Sequence, residues 1–215
     1  MRIIDVTGTI ETGMWTYGPP YPEVVIEEIE QPDFLEHETF SWRFELGAQT
    51  GTYLETSLHV DRDGPPLIDV PVKELLWRDA AILRVPCEPD HRIERTELEA
   101  CGVPISPGDA VIVATGWESH WNQPDFVSRC PWFSYGAMRW ILDREPFVMC
   151  GDMPRFDSWA EPQGFWPEFF GAGVLLLAPL VNLGAVRADR VKMVALPLKV
   201  AESCAAPCRV VLVEQ

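Results

Sequence analysis

The sequence predicts a single α/β domain, residues 1–215, built around a mixed sheet. Runs rich in β-branched residues recur from end to end, and helical stretches are few. Several of the strand-like runs are joined by connections too short for a helical crossover, so the strands cannot all be parallel.

The elements follow in order. "RIIDVTG" (2–8), "EVVIEEI" (23–29) and the alternating "FSWRFELGA" (40–48) read as strands, followed by "AAILRV" (80–85) and "DAVIVATG" (109–116). "PFVMCGD" (146–152), "VLLLAPLVNL" (174–183), "VKMVALPL" (191–198) and "CRVVLVE" (208–214) complete the set. The expected helices are "VPVKELLWR" (70–78), "ERTELEACG" (94–102) closed by Gly102, "SYGAMRWILDRE" (134–145) capped by Ser134, and a short "PEFFGAG" (167–173). Twenty prolines and fifteen glycines mark tight loops, yet no low-complexity linker or internal repeat divides the chain, which keeps it one domain. "YGPPYPEV" (17–24) reads as a connection rather than as a lid over a pocket.

Charge excludes some partners. Seventeen basic against 33 acidic side chains leave a formal net charge of -16, which repels phosphate backbones and anionic membranes, so nucleic acid and membrane are not expected partners. The N-terminal stretch has no signal-peptide core and no run is long enough to span a bilayer, so a cytoplasmic location is expected. The six cysteines, Cys87, Cys101, Cys130, Cys150, Cys204 and Cys208, show no C-x-x-C pairing and read as free, buried thiols. Nine tryptophans exceed what one core of this size needs, so an aromatic ligand or a substantial subunit interface is expected to take up some of them.

Several common chemistries have no footing. A phosphate-binding G-x-x-x-x-G-K-[ST] loop and a G-x-S-x-G elbow are both missing, and "GAGVLLL" carries too few glycines for a dinucleotide fingerprint. The four histidines, His37, His59, His91 and His120, include no pair at helical ligand spacing. His37, His91 and His120 sit in polar contexts and read as solvated.

What remains is "QTGTYLETSLH", residues 49–59, with Gln49, Tyr53, Glu55 and His59 at odd positions that an extended chain would place on one face. This stretch resembles the H-x-G-T-H-x-D-x-P-x-H signature of the cyclase family, which includes bacterial kynurenine formamidases and isatin hydrolases. "PGDAVIVATGWESHW", "VMCGDMPRFDS", "FGAGVLLLAPLVNLGAV" and "ALPLKVAESCAAPCRVVLVE" are similar to four further family blocks, in the family order. The resemblance implies a swivelling β/β/α fold, a homodimer or tetramer, and hydrolysis of an amide or lactam at one or two divalent metals.

The departures from that pattern are chemical. At the positions where the resemblance implies metal ligands stand Gln49, Tyr53, Glu55, Trp166 and Ala178. A neutral amide and a phenol replace imidazole poorly, and tryptophan and alanine offer zinc nothing, so a dinuclear zinc centre and any resident cofactor are not expected. A single divalent cation, manganese or zinc, at Glu55 is the alternative.

His59 matches the family's proton-shuttling histidine, and a side chain that titrates at about 6.5 in model peptides suits acid-base work. The catalytic set is therefore His59 and Glu55 as the proton-transfer pair, with Tyr53 as an oxyanion donor. Residues four apart on a flat strand lie about 13 Å apart, so the pair can meet only if the chain bends or turns. Gln49, Asp152, Arg155 and Trp166 are assigned to substrate binding, Asp152 because it follows a strand at the carboxyl end of a sheet. The other reading of Gln49, Tyr53 and Glu55 is a hydrogen-bonded plug in a dead metal site. The expected reaction is hydrolysis, dehydration or ring closure on a small carbonyl-bearing molecule, with metal-dependent amide hydrolysis or a non-catalytic scaffold as alternatives.

Overall fold

The computed structural model describes residues 1–214, which form a single mixed α/β domain. Its strands are β1 (Arg2–Asp5), β2 (Val25–Ile29), β3 (Ser41–Glu45), β4 (Tyr53–Glu55), β5 (Arg78–Arg84), β6 (Arg92–Ile93), β7 (Ala110–Ala114), β8 (Trp132–Phe133), β9 (Val148–Gly151), β10 (Leu175–Ala178), β11 (Arg190–Pro197) and β12 (Ala205–Glu214). Three short helices, α1 (Arg95–Ala100), α2 (Tyr135–Leu142) and α3 (Trp166–Gly171), interrupt them.

The main sheet runs β1-β12-β11-β5-β7-β9-β10-β4. The inner four, β5, β7, β9 and β10, are parallel, and the flanking pairings are antiparallel. β4 pairs with β10 on one edge and with Ala205–Pro207 of β12 on the other, which closes a seven-stranded barrel. The far half of that β12 edge is taken by β1. Closure pairs edges of β4 and β12 that an open sheet would leave free.

The period of two decides what lies on each side of the barrel wall. Leu54, Ile82, Ala110, Ile112, Cys150, Leu177, Ala206, Val210 and Leu212 pack into one buried cluster. Their strand neighbours Tyr53, Leu83, Val111, Val113, Met149 and Leu176 join the other cluster, with Leu98 of α1, Met138 and Ile141 of α2, and Phe169 and Phe170 of α3. The helices cover this outer face. Ser134 caps α2 as expected, its side chain accepting from the Ala137 amide at 3.1 Å.

Three expectations change. The stretch 70–78 forms no α-helix, only a single tight turn at Val72–Leu75, because the chain reverses at Trp77 (φ 57°) and must enter β5 at Arg78. Four residues cannot offset the cost of nucleating a longer helix. "FSWRFELGA" yields β3, which pairs only with β2 in a separate ribbon and buries no residue, so its alternation marks no core face. Finally, "VLLLAPLVNL" stops as a strand at Ala178, where Pro179 has no amide hydrogen to continue the ladder.

Asp152 at the end of β9 illustrates how the barrel wall is fastened. Its carboxylate is fully buried and accepts from the Thr115 amide (3.0 Å), the Thr115 hydroxyl (2.6 Å) and the Gly116 amide (2.7 Å), tying β9 to the residues that leave β7. Burial lifts its carboxyl to about 6, against the pull of those hydrogen bonds. Asp152→Ala leaves several buried donors unpaired and should cost about 2–4 kcal/mol, read as a shifted urea midpoint at constant slope. The folded-state value is raised above the unfolded one, so the native protein binds the extra proton and the contribution of Asp152 shrinks as pH rises through this window. The cost of Asp152→Ala should accordingly be larger at about pH 5 than at about pH 7.5.

Candidate active site

The site lies on the outer face of β4, between that strand, α3 and the loop after β9. Its backbone is set by "GTYLETS". Gly51 turns the chain with φ 61°, and an added Cβ there would meet Ile10 Cγ1 at 2.9 Å. Thr52 is buried; its hydroxyl donates to the Pro179 carbonyl at 2.6 Å and accepts from the Gly8 amide at 2.9 Å. This locks the start of β4, so that Leu54 enters the barrel while Tyr53 and Glu55 face outward.

The strand then ends. Residues Ser57–His59 form a 3-10 turn, with the His59 amide bonded to the Thr56 carbonyl at 3.2 Å. The extended reading of 49–59 therefore holds only for Tyr53–Glu55, and the turn carries His59 back over Glu55. His59 Nδ1 lies 3.2 Å from Glu55 Oε1, a contact no flat strand could make. The Thr56 amide donates to the Cys204 carbonyl at 2.9 Å, extending the Glu55–Ala205 register of β4 and β12 by one residue.

Gln49, Tyr53, Glu55, His59, Arg155 and Trp166 all line one cavity of about 480 Å³. Asp152 does not, and the substrate-binding role expected for it is corrected: its oxygens are occupied by Thr115 and Gly116 in the barrel wall. The cavity is largely aromatic. Trp166 and Phe170, one helical turn apart on α3, stack at 5.7 Å, and Phe170 approaches the His59 ring at 6.3 Å. The segment 17–24, expected as a connection, contributes Tyr17 and Tyr21 to the wall. Sequence reasoning missed both, although a proline-rich aromatic loop was the available signal. It also treated Cys204 as one more core thiol, when its sulfur lies beside Glu55 and His59.

The donors are already committed in part. Tyr17 Oη donates to the Pro154 carbonyl at 2.7 Å, so the 3.0 Å contact between the two phenols requires Tyr53 to donate to Tyr17. Burial, with Tyr17 and Glu55 close by, pushes the Tyr53 phenol well above its usual range, so it stays protonated. Gln49 Nε2 donates to Glu55 Oε1 at 2.8 Å and to Cys204 Sγ at 3.6 Å, which uses both amide hydrogens. Neither residue is free to meet an oxyanion, which corrects the donor role expected of Tyr53.

Glu55 is the electrostatic centre. Its side chain is 4% exposed, while that of His59 is 39% exposed. Burial raises the Glu55 carboxyl above its ordinary range, and His59 and Gln49 pull it back only in part. Arg155 has no carboxylate partner among the described residues; it donates to the carbonyls of Val127, Asp157 and Ser128 and sits 4.4 Å over the Trp159 ring. Arg155 makes no ion pair with Asp157, whose carboxylate accepts from the Ser158 and Gln163 amides. Cys204 is a thiol raised by burial and by Glu55, which argues against a nucleophilic role.

A family model described as "Putative cyclase" matches residues 4–158. The chain belongs to the cyclase family. Among solved structures, it is similar to a potential metal-dependent hydrolase with cyclase activity, at 24% identity and TM-score 0.81 over 100% of this chain and 98% of the other. Isatin hydrolase A from Labrenzia aggregata, bound to benzyl benzoate, matches at 19% identity and TM-score 0.84 over 98% and 93%. Isatin hydrolase A from Ralstonia solanacearum matches at 20% identity and TM-score 0.84 over 99% and 92%. No curated protein matches the chain.

The dinuclear metal that the family resemblance implies does not suit the residues at its implied positions. Tyr53 spends its hydroxyl hydrogen on Tyr17, and Trp166 and Ala178 have no metal-binding atom. Of the five positions, only Glu55 carries a carboxylate.

Because its hydroxyl hydrogen is given to Tyr17, Tyr53→Phe should lower turnover by less than about tenfold, below the usual worth of an oxyanion donor. It should cost about 0.5–1.5 kcal/mol of stability for the lost hydrogen bond. Paired kinetic and thermal-melt measurements separate the two effects.

Proposed function

We propose that this cyclase-family enzyme opens or closes a carbonyl-containing ring, or a comparable acyl bond, in a small aromatic molecule, with Glu55 and His59 moving the proton. The observation that carries this reading is the 3.2 Å contact between a buried carboxylate and a half-exposed imidazole in an aromatic-lined cavity. Trp159, Trp166, Phe170 and the three tyrosines, Tyr17, Tyr21 and Tyr53, line the cavity with flat apolar surface that suits a ring system. Structural neighbours described as an isatin hydrolase and a potential metal-dependent hydrolase with cyclase activity are in keeping with the ring-opening or ring-closing chemistry.

The proposed step follows from the proton inventory. Ionised Glu55 accepts the Nδ1 hydrogen of His59, which fixes the tautomer that leaves Nε2 as the base. Nε2 takes a proton from water as the oxygen attacks the carbonyl carbon. The same proton then passes to the departing nitrogen or oxygen, and the carbon–heteroatom bond breaks. Ring closure is the reverse. Donors in the lining that could meet the carbonyl oxygen include the Arg155 guanidinium and the Ser158 hydroxyl.

We also propose that the chain self-associates, since Trp42 and Trp77 are 56% and 59% exposed and serve neither core nor cavity. Sedimentation as a strict monomer at micromolar concentration would remove this proposal.

Activity is sought by screening aromatic lactams, lactones and formamides. His59→Ala should lower turnover on the best of them by about two to four orders of magnitude with the fold intact, and Glu55→Gln by nearly as much. Wild-type turnover in His59→Ala would sink the mechanism. The pH profile gives a second check. Glu55 must be ionised to hold the imidazole, and its carboxyl is raised. Activity should therefore fall on the acid side at a pH above the ordinary glutamate value of about 4.3, through a step that belongs to the coupled pair. Glu55→Gln should change the position and shape of that limb, since one member of the pair no longer ionises.

A further inference from the structure

We infer that Glu55, His59 and Cys204 form a site for one thiophilic divalent ion of the zinc type, and that an ion held there withdraws the Glu55–His59 pair from proton transfer. The second half rests on the proton-transfer reading above; the first does not.

The donor atoms of the three side chains lie within 4.8 Å of one another. Zinc–ligand bonds of about 2.0–2.3 Å place tetrahedral donors roughly 3.5 Å apart, so the trio must close by about 1 Å. His59 stands on an exposed turn, and small side-chain rotations suffice for that. Meanwhile the backbone under the site is fixed: the Thr56 amide holds the Cys204 carbonyl at 2.9 Å, and Ala205 pairs with Glu55. Gln49 already spans Glu55 and Cys204, and turning its amide over would present a carbonyl oxygen as a fourth donor.

The chemistry of this set is specific. A thiolate, an imidazole and a carboxylate suit zinc, whereas manganese and magnesium gain little from sulfur. The set is also not the one the family resemblance implies. Of its three principal ligands only Glu55 stands at one of those positions, with Gln49 as the added fourth donor at a second, and its sulfur comes from the residue before β12, on the opposite side of β4 from Ala178. An ion bound to His59 and Glu55 occupies the lone pairs that hold and move the proton, so occupancy and acid-base work exclude each other.

The test uses the full chain, stripped with chelator and kept reduced. Titration with zinc should show one ion per chain. Cobalt should give a near-ultraviolet sulfur-to-metal band that is present in wild type and in Cys87→Ser but absent in Cys204→Ser and Cys204→Ala. Zinc affinity should drop by about 100-fold or more in the Cys204 variants, with unchanged circular dichroism. No bound zinc, or a cobalt band that survives both Cys204 changes, would overturn the site. In turnover assays zinc should inhibit the wild type and spare Cys204→Ser. Stimulation by zinc in the wild type alone would leave the site standing and overturn both the withdrawal and the metal-free proton transfer.

Discussion

Everything in this site hangs on the double pairing of β4. A strand of three residues, bonded to β10 on one edge and to β12 on the other, closes the barrel and has almost no freedom left. Closure forces Leu54 inward and Tyr53 and Glu55 outward, since successive side chains must alternate. It also brings the residue before β12 beside the end of β4, which is why a cysteine 149 positions away from Glu55 in sequence becomes its neighbour. The turn at Ser57–His59 exists because the pairing stops there, and with it comes the folding-back of the imidazole onto the carboxylate.

Two buried carboxylates show how environment separates structure from chemistry. Asp152 and Glu55 are both raised by desolvation. Asp152 is surrounded by three donors from Thr115 and Gly116 in a closed wall, so its charge is spent on holding strands together. Glu55 has one amide donor and one imidazole, and opens onto a cavity. A buried charge with so few partners is costly to keep and is retained where the charge does work.

The aromatic wall complements this centre. Phe156, Trp166 and Phe170 stack in near-parallel fashion, and Trp159 sits under the Arg155 guanidinium. Apolar walls around a polar floor exclude water and strengthen the electrostatics of the pair. The hydrogen bonds of Tyr53 and Gln49 are made to Tyr17 and Glu55, so they rigidify the floor more than they contact a guest. This part of the site does resemble a hydrogen-bonded plug, with the Glu55–His59 pair left open beside it.

Much of the barrel was legible because local chemistry dictates it: β-branched runs gave most of the strands, Ser134 gave the start of α2, and short connections gave the mixed sheet. The ribbon of β2 and β3 was legible as strands but not as a separate piece, since alternation records pairing and not what covers it. Gln49, Tyr53, Glu55, His59, Arg155 and Trp166 were singled out from the sequence, and one cavity is lined by all six. By contrast, Asp152 was misplaced and Tyr17, Tyr21 and Cys204 were missed, because membership of a site depends on distances across the barrel. Sequence by itself determined which groups were available, the carboxylate, the imidazole and the missing family ligands, since these are properties of single residues. Only the tertiary structure decided which of them meet and which are already spent, because hydrogen-bond partners such as Tyr17 for Tyr53, or Thr115 for Asp152, come from segments that chain connectivity alone does not bring together.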